Sequence, residues 1–124
     1  MPQDVHDLIV WQRAIDLTEC VYKLTRHLPK EEIYGLTSQM RRASVSVASN
    51  IAEGRGRLNA FKFRQFLGLA QGSLFELKTQ LIITKRLAFV DAAALRDAES
   101  LSEEISKMLI SLINKLRAAR RAEG

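Results

Sequence analysis

Residues 59–88 read NAFKFRQFLGLAQGSLFELKTQLIITKRLA, and the rhythm of their apolar positions decides the fold. Phe63, Leu67, Ala70, Leu74, Leu77, Leu81, Thr84 and Ala88 recur at alternating steps of four and three, the spacing that lays one stripe along an α-helix. Asn59 can cap the amino end, so a helix is predicted over about 59–87. The stretch also carries a second apolar stripe. Wound at ~100° per residue, Phe61, Gly68, Gly72, Phe75, Ile82 and Ile83 fall roughly opposite the first. One face suits a core, and the other is left for a partner.

The flanking segments repeat the pattern. Upstream, Leu36, Met40, Ala43, Val47 and Ile51 mark a helix over about 36–53. Its other positions are small (Ser44, Ser46, Ala48, Ser49, Ala52), which lets neighbouring helices approach closely. Gly54 and Gly56 are expected to stop it, because glycine adopts the left-handed cap conformation at least cost. Before it, Val10, Ala14, Leu17, Val21, Leu24 and Leu28 define a helix over about 7–28, widened by Leu8, Trp11 and Ile15 and ended by Pro29. Downstream, Asp91 can cap a helix over about 91–119. Its expected seam is Ala94, Ala98, Leu101, Ile105, Met108, Leu112 and Leu116, with Arg96, Glu99, Glu103 and Lys107 facing water and Arg120 to Gly124 fraying. Short connections favour antiparallel neighbours, so the fold class is all-α, an antiparallel up-down-up-down four-helix bundle forming one domain over 1–124. The alternative is a long helical hairpin that pairs only within an oligomer.

Little in the chain points to chemistry. Cys20 has no second cysteine to bridge to, and His6 and His27 offer neither zinc-ligand spacing nor the preceding glutamate of a di-iron bundle. There is no Gly-rich phosphate loop and no Gly-x-Ser-x-Gly elbow. No catalytic residue, metal or cofactor is therefore expected, and the chain reads as non-enzymatic. Apolar runs such as Leu87 to Val90 fall far short of the ~20 residues that span a membrane. The amino end lacks the basic start and apolar stretch of a signal peptide, so a cytoplasmic protein is expected.

Charge is the stronger signal. The net charge is +5, but residues 41–86 alone carry nine basic and two acidic side chains, +7 against −2 for the remainder. Arg41, Arg42, Arg55, Arg57, Lys62, Arg64, Lys85 and Arg86 are the candidate nucleic-acid-binding residues, a stripe along the second and third helices, since clustered cations gain from counterion release at phosphates. Glu53, unfavourable near a helix carboxy end, calls for compensation by a cation such as Arg57 or Arg42. Phe61, Phe63 and Phe66 have helical spacing and read chiefly as packing residues, with Phe61 the one open to stacking. Gly68 and Gly72 cost about 1 kcal/mol each relative to alanine inside a helix, which close helix contact would offset. With Phe61, Phe75, Ile82 and Ile83 they form the candidate oligomer interface.

Several strings carry a resemblance. Tyr34-Gly-Leu-Thr-Ser-Gln39, Arg41-Arg42-Ala43, Ser49-Asn-Ile-Ala-Glu-Gly54, Ala70-Gln-Gly-Ser-Leu74 and Glu76-Leu77 make the chain resemble, over about residues 7–117, the bacterial four-helix bundle proteins encoded in intervening sequences of 23S ribosomal RNA genes. It is more remotely similar to accessory proteins of diversity-generating retroelements, which bind a reverse transcriptase and nucleic acid. The resemblance implies a homopentamer with a basic surface and no established enzymatic activity. Gln39, Arg42, Asn50, Glu53 and Gly54 match the family signature, as do Gln71, Gly72 and Ser73 on the third helix, while Gly56 departs from it. The functional expectation is an oligomeric nucleic-acid-binding protein, RNA ahead of DNA, with no membrane partner. The alternative is an adaptor ring that docks a polymerase-like or other acidic protein.

Overall fold

Four α-helices make up most of the chain: α1 (Ile9–Thr25), α2 (Leu36–Gly56), α3 (Ala60–Arg86) and α4 (Ala92–Glu123). Short 3₁₀ turns at Val5–Asp7 and Lys30–Glu32 lead into α1 and α2. The computed structural model describes residues 4–123, with side chains described to Ala119. α4 stays helical to Glu123, beyond the Arg120 at which fraying was expected, and Gly124 lies outside the described residues.

The helix ends follow local chemistry. Asn59 caps α3, its side-chain oxygen accepting from the Lys62 N–H at 3.0 Å. At the other end Ala88 takes a left-handed conformation (φ 56°), and the Phe89 N–H returns to the Thr84 carbonyl at 3.3 Å, closing the helix with a Schellman-type turn. That turn swings Ala88 out of the seam, where it is exposed.

Gly54 and Gly56 do not end α2, contrary to the sequence reading. The helix runs through both, and neither has a positive φ; the left-handed residue is Leu58, at φ 56°. Gly54 serves close approach instead. A Cβ there would lie 2.7 Å from Phe66 Cβ, 2.9 Å from Phe63 Cδ1 and 3.2 Å from the Phe63 carbonyl oxygen, so only glycine lets α2 and α3 meet at this point.

Each helix packs against its sequence neighbours and α4 closes onto α1, whereas the diagonal pairs make no close backbone contact among the described residues. The bundle is complete within one chain, which sets aside the hairpin alternative. Its core holds Leu17, Met40, Val47, Ile51, Leu67, Leu74, Leu77, Leu95, Ile105 and Leu109, all fully buried. Each such leucine or isoleucine contributes about 1.5–3 kcal/mol by leaving water.

The α4 seam keeps Ala98 and Ile105 as expected but takes Leu95, Ser102 and Leu109 in place of Ala94, Leu101 and Met108. Leu95, Ala98, Ser102, Ile105 and Leu109 face the core, Ala94 is exposed, and Leu101, Met108, Leu112 and Leu116 are half-buried on the flank. The cause is that α4 buries two small hydroxyl residues, Ser102 and Ser106, which a hydropathy pattern scores as polar. Cross-helix ion pairs fix α4 in this orientation: Arg13 Nε to Glu104 at 3.0 Å on the α1 side, and Lys78 Nζ to Glu103 at 2.8 Å on the α3 side.

Candidate nucleic-acid interface

Antiparallel order brings the end of α2, the start of α3 and the last turns of α4 to one end of the bundle. The close approach at Gly54 joins the first two, and Leu116 of α4 lines the same recess as Gly54, Arg55, Leu58, Asn59, Ala60 and Phe63. Arg55, Arg57, Lys62 and Arg64 all belong to this end, distributed around it: Arg55 lines this recess, Arg57 and Lys62 line another, and Arg64 lies ~200° of helical rotation from Lys62. Each arginine stands over a phenylalanine of α3: Arg55 over Phe63 at 5.9 Å from Cζ to ring centroid, Arg57 over Phe66 at 5.0 Å, and Arg64 over Phe61 at 5.5 Å. Such pairs contribute about 0.5–1 kcal/mol at exposed sites. They also restrict where each guanidinium can sit, above its ring, while its N–H groups stay available to an approaching anion.

The rings differ in depth. Phe63 is buried, as a packing residue should be, while Phe61 and Phe66 are half-buried and reach the surface beneath their arginines. Phe66, with Arg57, Lys62, Gln65 and Leu69, lines an open cleft of about 780 Å³. The sequence reading left Phe61 open and missed Phe66, whose signal is its position four residues after Lys62 on the exposed side of α3.

The other four cations lie elsewhere, so the stripe is divided. Arg41 points to α1, donating from Nε to Thr25 Oγ1 at 2.8 Å with its guanidinium 4.6 Å from the Tyr22 centroid. It is committed to joining α1 and α2. Lys85 pairs with Glu99 at 3.7 Å, and Arg86 is exposed beside it on the last turn of α3. Arg42 is exposed but shares a recess with Gln39, Ala43, Ser46 and the acidic Glu76. Between Arg42 and Arg55, ~20 Å along α2, the chain carries no cation. Ser46 Oγ meets Ser73 Oγ at 2.9 Å, and Asn50 Nδ2 donates to the Ser46 carbonyl at 2.9 Å and to its Oγ at 3.0 Å. Among the described residues Glu53 makes no ion pair, so the compensation expected from Arg57 or Arg42 is not formed: Arg57 lies over the Phe66 ring, and Arg42 lines the recess that holds Glu76. Sequence reasoning also missed Lys115 and Arg117, exposed on either side of Leu116, which only the antiparallel topology carries to the basic end.

The remaining singled-out residues lie along the outer faces of α2 and α3. Gln39 and Glu53 are exposed, and Gln71 is half-buried with its Oε1 enclosed and without a hydrogen-bond partner among the described residues. Gly68 and Gly72 open onto empty space, with no heavy atom within 4 Å of where a Cβ would stand. Phe75, Ile82 and Ile83 beside them are 52%, 53% and 40% exposed. In the second apolar stripe of α3, Phe75, Ile82 and Ile83 are thus exposed, with Lys78 Nζ 5.2 Å from the Phe75 centroid and Ile82 bordering a recess with Glu99 and Glu103, while Phe61 is half-buried. On the opposite side of the bundle, burial, and secondarily the charge of Asp97, push the half-buried Cys20 thiol above its ordinary pKa. Among the described residues no cluster of metal-ligating side chains forms, and no helix is long and apolar enough to cross a membrane.

Comparison with known proteins adds a family and a fold. The family model described as "23S rRNA-intervening sequence protein" matches residues 6–111. A solved structure from Bacteroides thetaiotaomicron, described as a protein with unknown function from the S23 ribosomal protein family, superposes with a TM-score of 0.78 at 22% identity, covering 85% of this chain and 98% of that one. At that identity the likeness speaks for the fold. None of the curated proteins compared with the chain matches it.

Proposed function

The chain belongs to the 23S rRNA-intervening sequence protein family, and on that footing we propose that it is a non-enzymatic, oligomeric nucleic-acid-binding protein of the cytoplasm that takes RNA ahead of DNA. The observation that carries this reading is the placement of four cations, Arg55, Arg57, Lys62 and Arg64, around one end of the bundle, with three of the guanidinium groups over phenylalanine rings. Cations grouped in this way bind phosphates through counterion release, and oriented guanidinium planes suit the unpaired, splayed bases of structured RNA better than the closed stack of a DNA duplex. Lys115 and Arg117 extend the field from α4. The exposed apolar residues of α3 supply the oligomer contact, Gly68 and Gly72 allowing a second helix to lie close just before Phe75. A ring of such copies, five by the family resemblance, presents several basic ends to one polyanion and gains by multivalency.

The test is fluorescence anisotropy against a structured ribosomal-RNA fragment and a matched DNA duplex. Replacing Arg57 and Lys62 by alanine should weaken RNA binding roughly tenfold or more, whereas replacing Arg42 and Arg86, at the other end, should cost far less. Equal losses from the two pairs would refute the assignment to this end. Absence of binding at physiological salt, where even non-specific affinities reach ~10⁻⁴ to 10⁻⁶ M, would turn the reading to an acidic protein partner.

A further inference from the structure

Resting on the nucleic-acid reading above, we infer that the cleft lined by Arg57, Lys62, Gln65, Phe66 and Leu69 receives the base of an unpaired nucleotide, so that the protein selects single-stranded segments over duplex. Its volume, about 780 Å³, falls in the range of small-molecule sites, while its openness to solvent suits one residue of a longer strand. Lys62, Gln65, Phe66 and Leu69 stand at i, i+3, i+4 and i+7 on one face of α3, so the helix presents them as a single row. The floor is apolar: Phe66 is half-buried, and Leu69 is exposed, a cost that an occupant would remove.

The chemistry around that floor divides as a nucleotide does. Arg57 lies over the Phe66 ring at 5.0 Å, so a base that settles on its outer face extends a stack already begun by the protein. Lys62, exposed at the rim one turn before Phe66, meets the phosphate. The exposed Gln65 amide carries both donor and acceptor and can follow the edge of the base. A duplex can offer the phosphate and nothing else, because its bases are already stacked and their faces closed. An acidic peptide can offer charge and lacks the flat face.

The experiment uses the full chain and labelled oligouridine, the same strand as DNA, a blunt RNA duplex and an oligoglutamate control. The intact protein should prefer both single strands over duplex; a preference for RNA among them would assign part of the recognition to the 2′-hydroxyl, and equal affinities would assign it to base and phosphate. Arg57→Lys keeps the charge and removes the plane. It should lower single-strand affinity about tenfold and duplex affinity much less, collapsing the preference. As a measurement that needs no variant, a strand carrying photoactivated 5-iodouridine should cross-link to a residue lining the cleft, Gln65, Phe66 or Leu69. Arg57→Lys matching the wild type on single strands, or labelling confined to other residues, would overturn the inference while leaving the proposed function intact. Oligoglutamate binding as tightly as oligouridine would also overturn it, as a sign that only charge is read. Failure of every strand to bind would take down both.

Discussion

A single methyl group should act in opposite directions at two glycines of this bundle. At Gly54 the new Cβ meets Phe66 Cβ at 2.7 Å, Phe63 Cδ1 at 2.9 Å and the Phe63 carbonyl oxygen at 3.2 Å. The first and last of these belong to the frame of α3 and cannot rotate away. Overpacking of this kind costs about 1–3 kcal/mol, and with two contacts under 3.0 Å the upper figure applies. Helix propensity returns about 1 kcal/mol on replacing glycine by alanine, so Gly54→Ala should lose about 2 kcal/mol. At Gly68 nothing lies within 4 Å, and only the propensity gain of about 1 kcal/mol remains. The two variants should therefore differ by about 3 kcal/mol, on the order of 10 °C in Tm for a chain of this size. Urea and thermal unfolding followed by circular dichroism at low protein concentration would measure this without a contribution from self-association. Gly54→Ala as stable as the wild type would refute the close approach of α2 and α3. On the proposed assembly through the α3 face, Gly68→Ala should lose its advantage at high concentration.

Three further outcomes follow from single contacts. Asn59→Ala removes the side-chain acceptor of the Lys62 N–H and should cost about 1 kcal/mol, read as a shift in the urea midpoint; no shift would deny the cap a role. Phe75→Glu combined with Ile82→Glu should convert the assembly to monomers in analytical ultracentrifugation with the helical spectrum intact, whereas an unchanged sedimentation coefficient would remove this face from the interface. Cys20 should react slowly with a chromogenic disulfide reagent, its rate still rising above the pH at which an ordinary thiol levels off. Because the folded protein holds this proton more tightly than the unfolded chain, stability should fall as pH rises past the ordinary thiol pKa; a Cys20→Ser variant should lose that part of the dependence.

The core stripe of α3 was legible from Phe63 to Thr84, all buried, with Ala88 lost to the capping turn, and the opposite stripe holds at Phe75, Ile82 and Ile83, which are exposed, while Phe61 is half-buried. Glycine was harder. Gly54 fits a cap and a close approach equally well on paper, and the difference lies in Phe63 and Phe66, which belong to another helix and meet it only in three dimensions. The α4 seam was read correctly at Ala98 and Ile105 and misread around them, because Ser102 and Ser106 are buried on the strength of size, while Leu101 and Met108 lie on the flank. The cations of the candidate site were legible by type but not by grouping. Arg41 and Arg42 are adjacent in sequence, yet ~100° of helical rotation separates them: Arg41 lies on Tyr22 of α1, and Arg42 lines the recess that holds Glu76 of α3. Lys115 and Arg117 carried no signal until topology placed them.

The salt dependence of RNA binding tests the account most directly. Four cations acting together at the basic end, Arg55, Arg57, Lys62 and Arg64, should give log K against log salt a slope of about −3 on an unpaired strand, at ~0.7 per neutralised phosphate. Replacing Arg57 and Lys62 by alanine should reduce it to about −1.5, while replacing Arg42 and Arg86 should leave it near its original value. A flat dependence, or slopes that fall equally for both pairs, would contradict the claim that this end of the bundle binds nucleic acid.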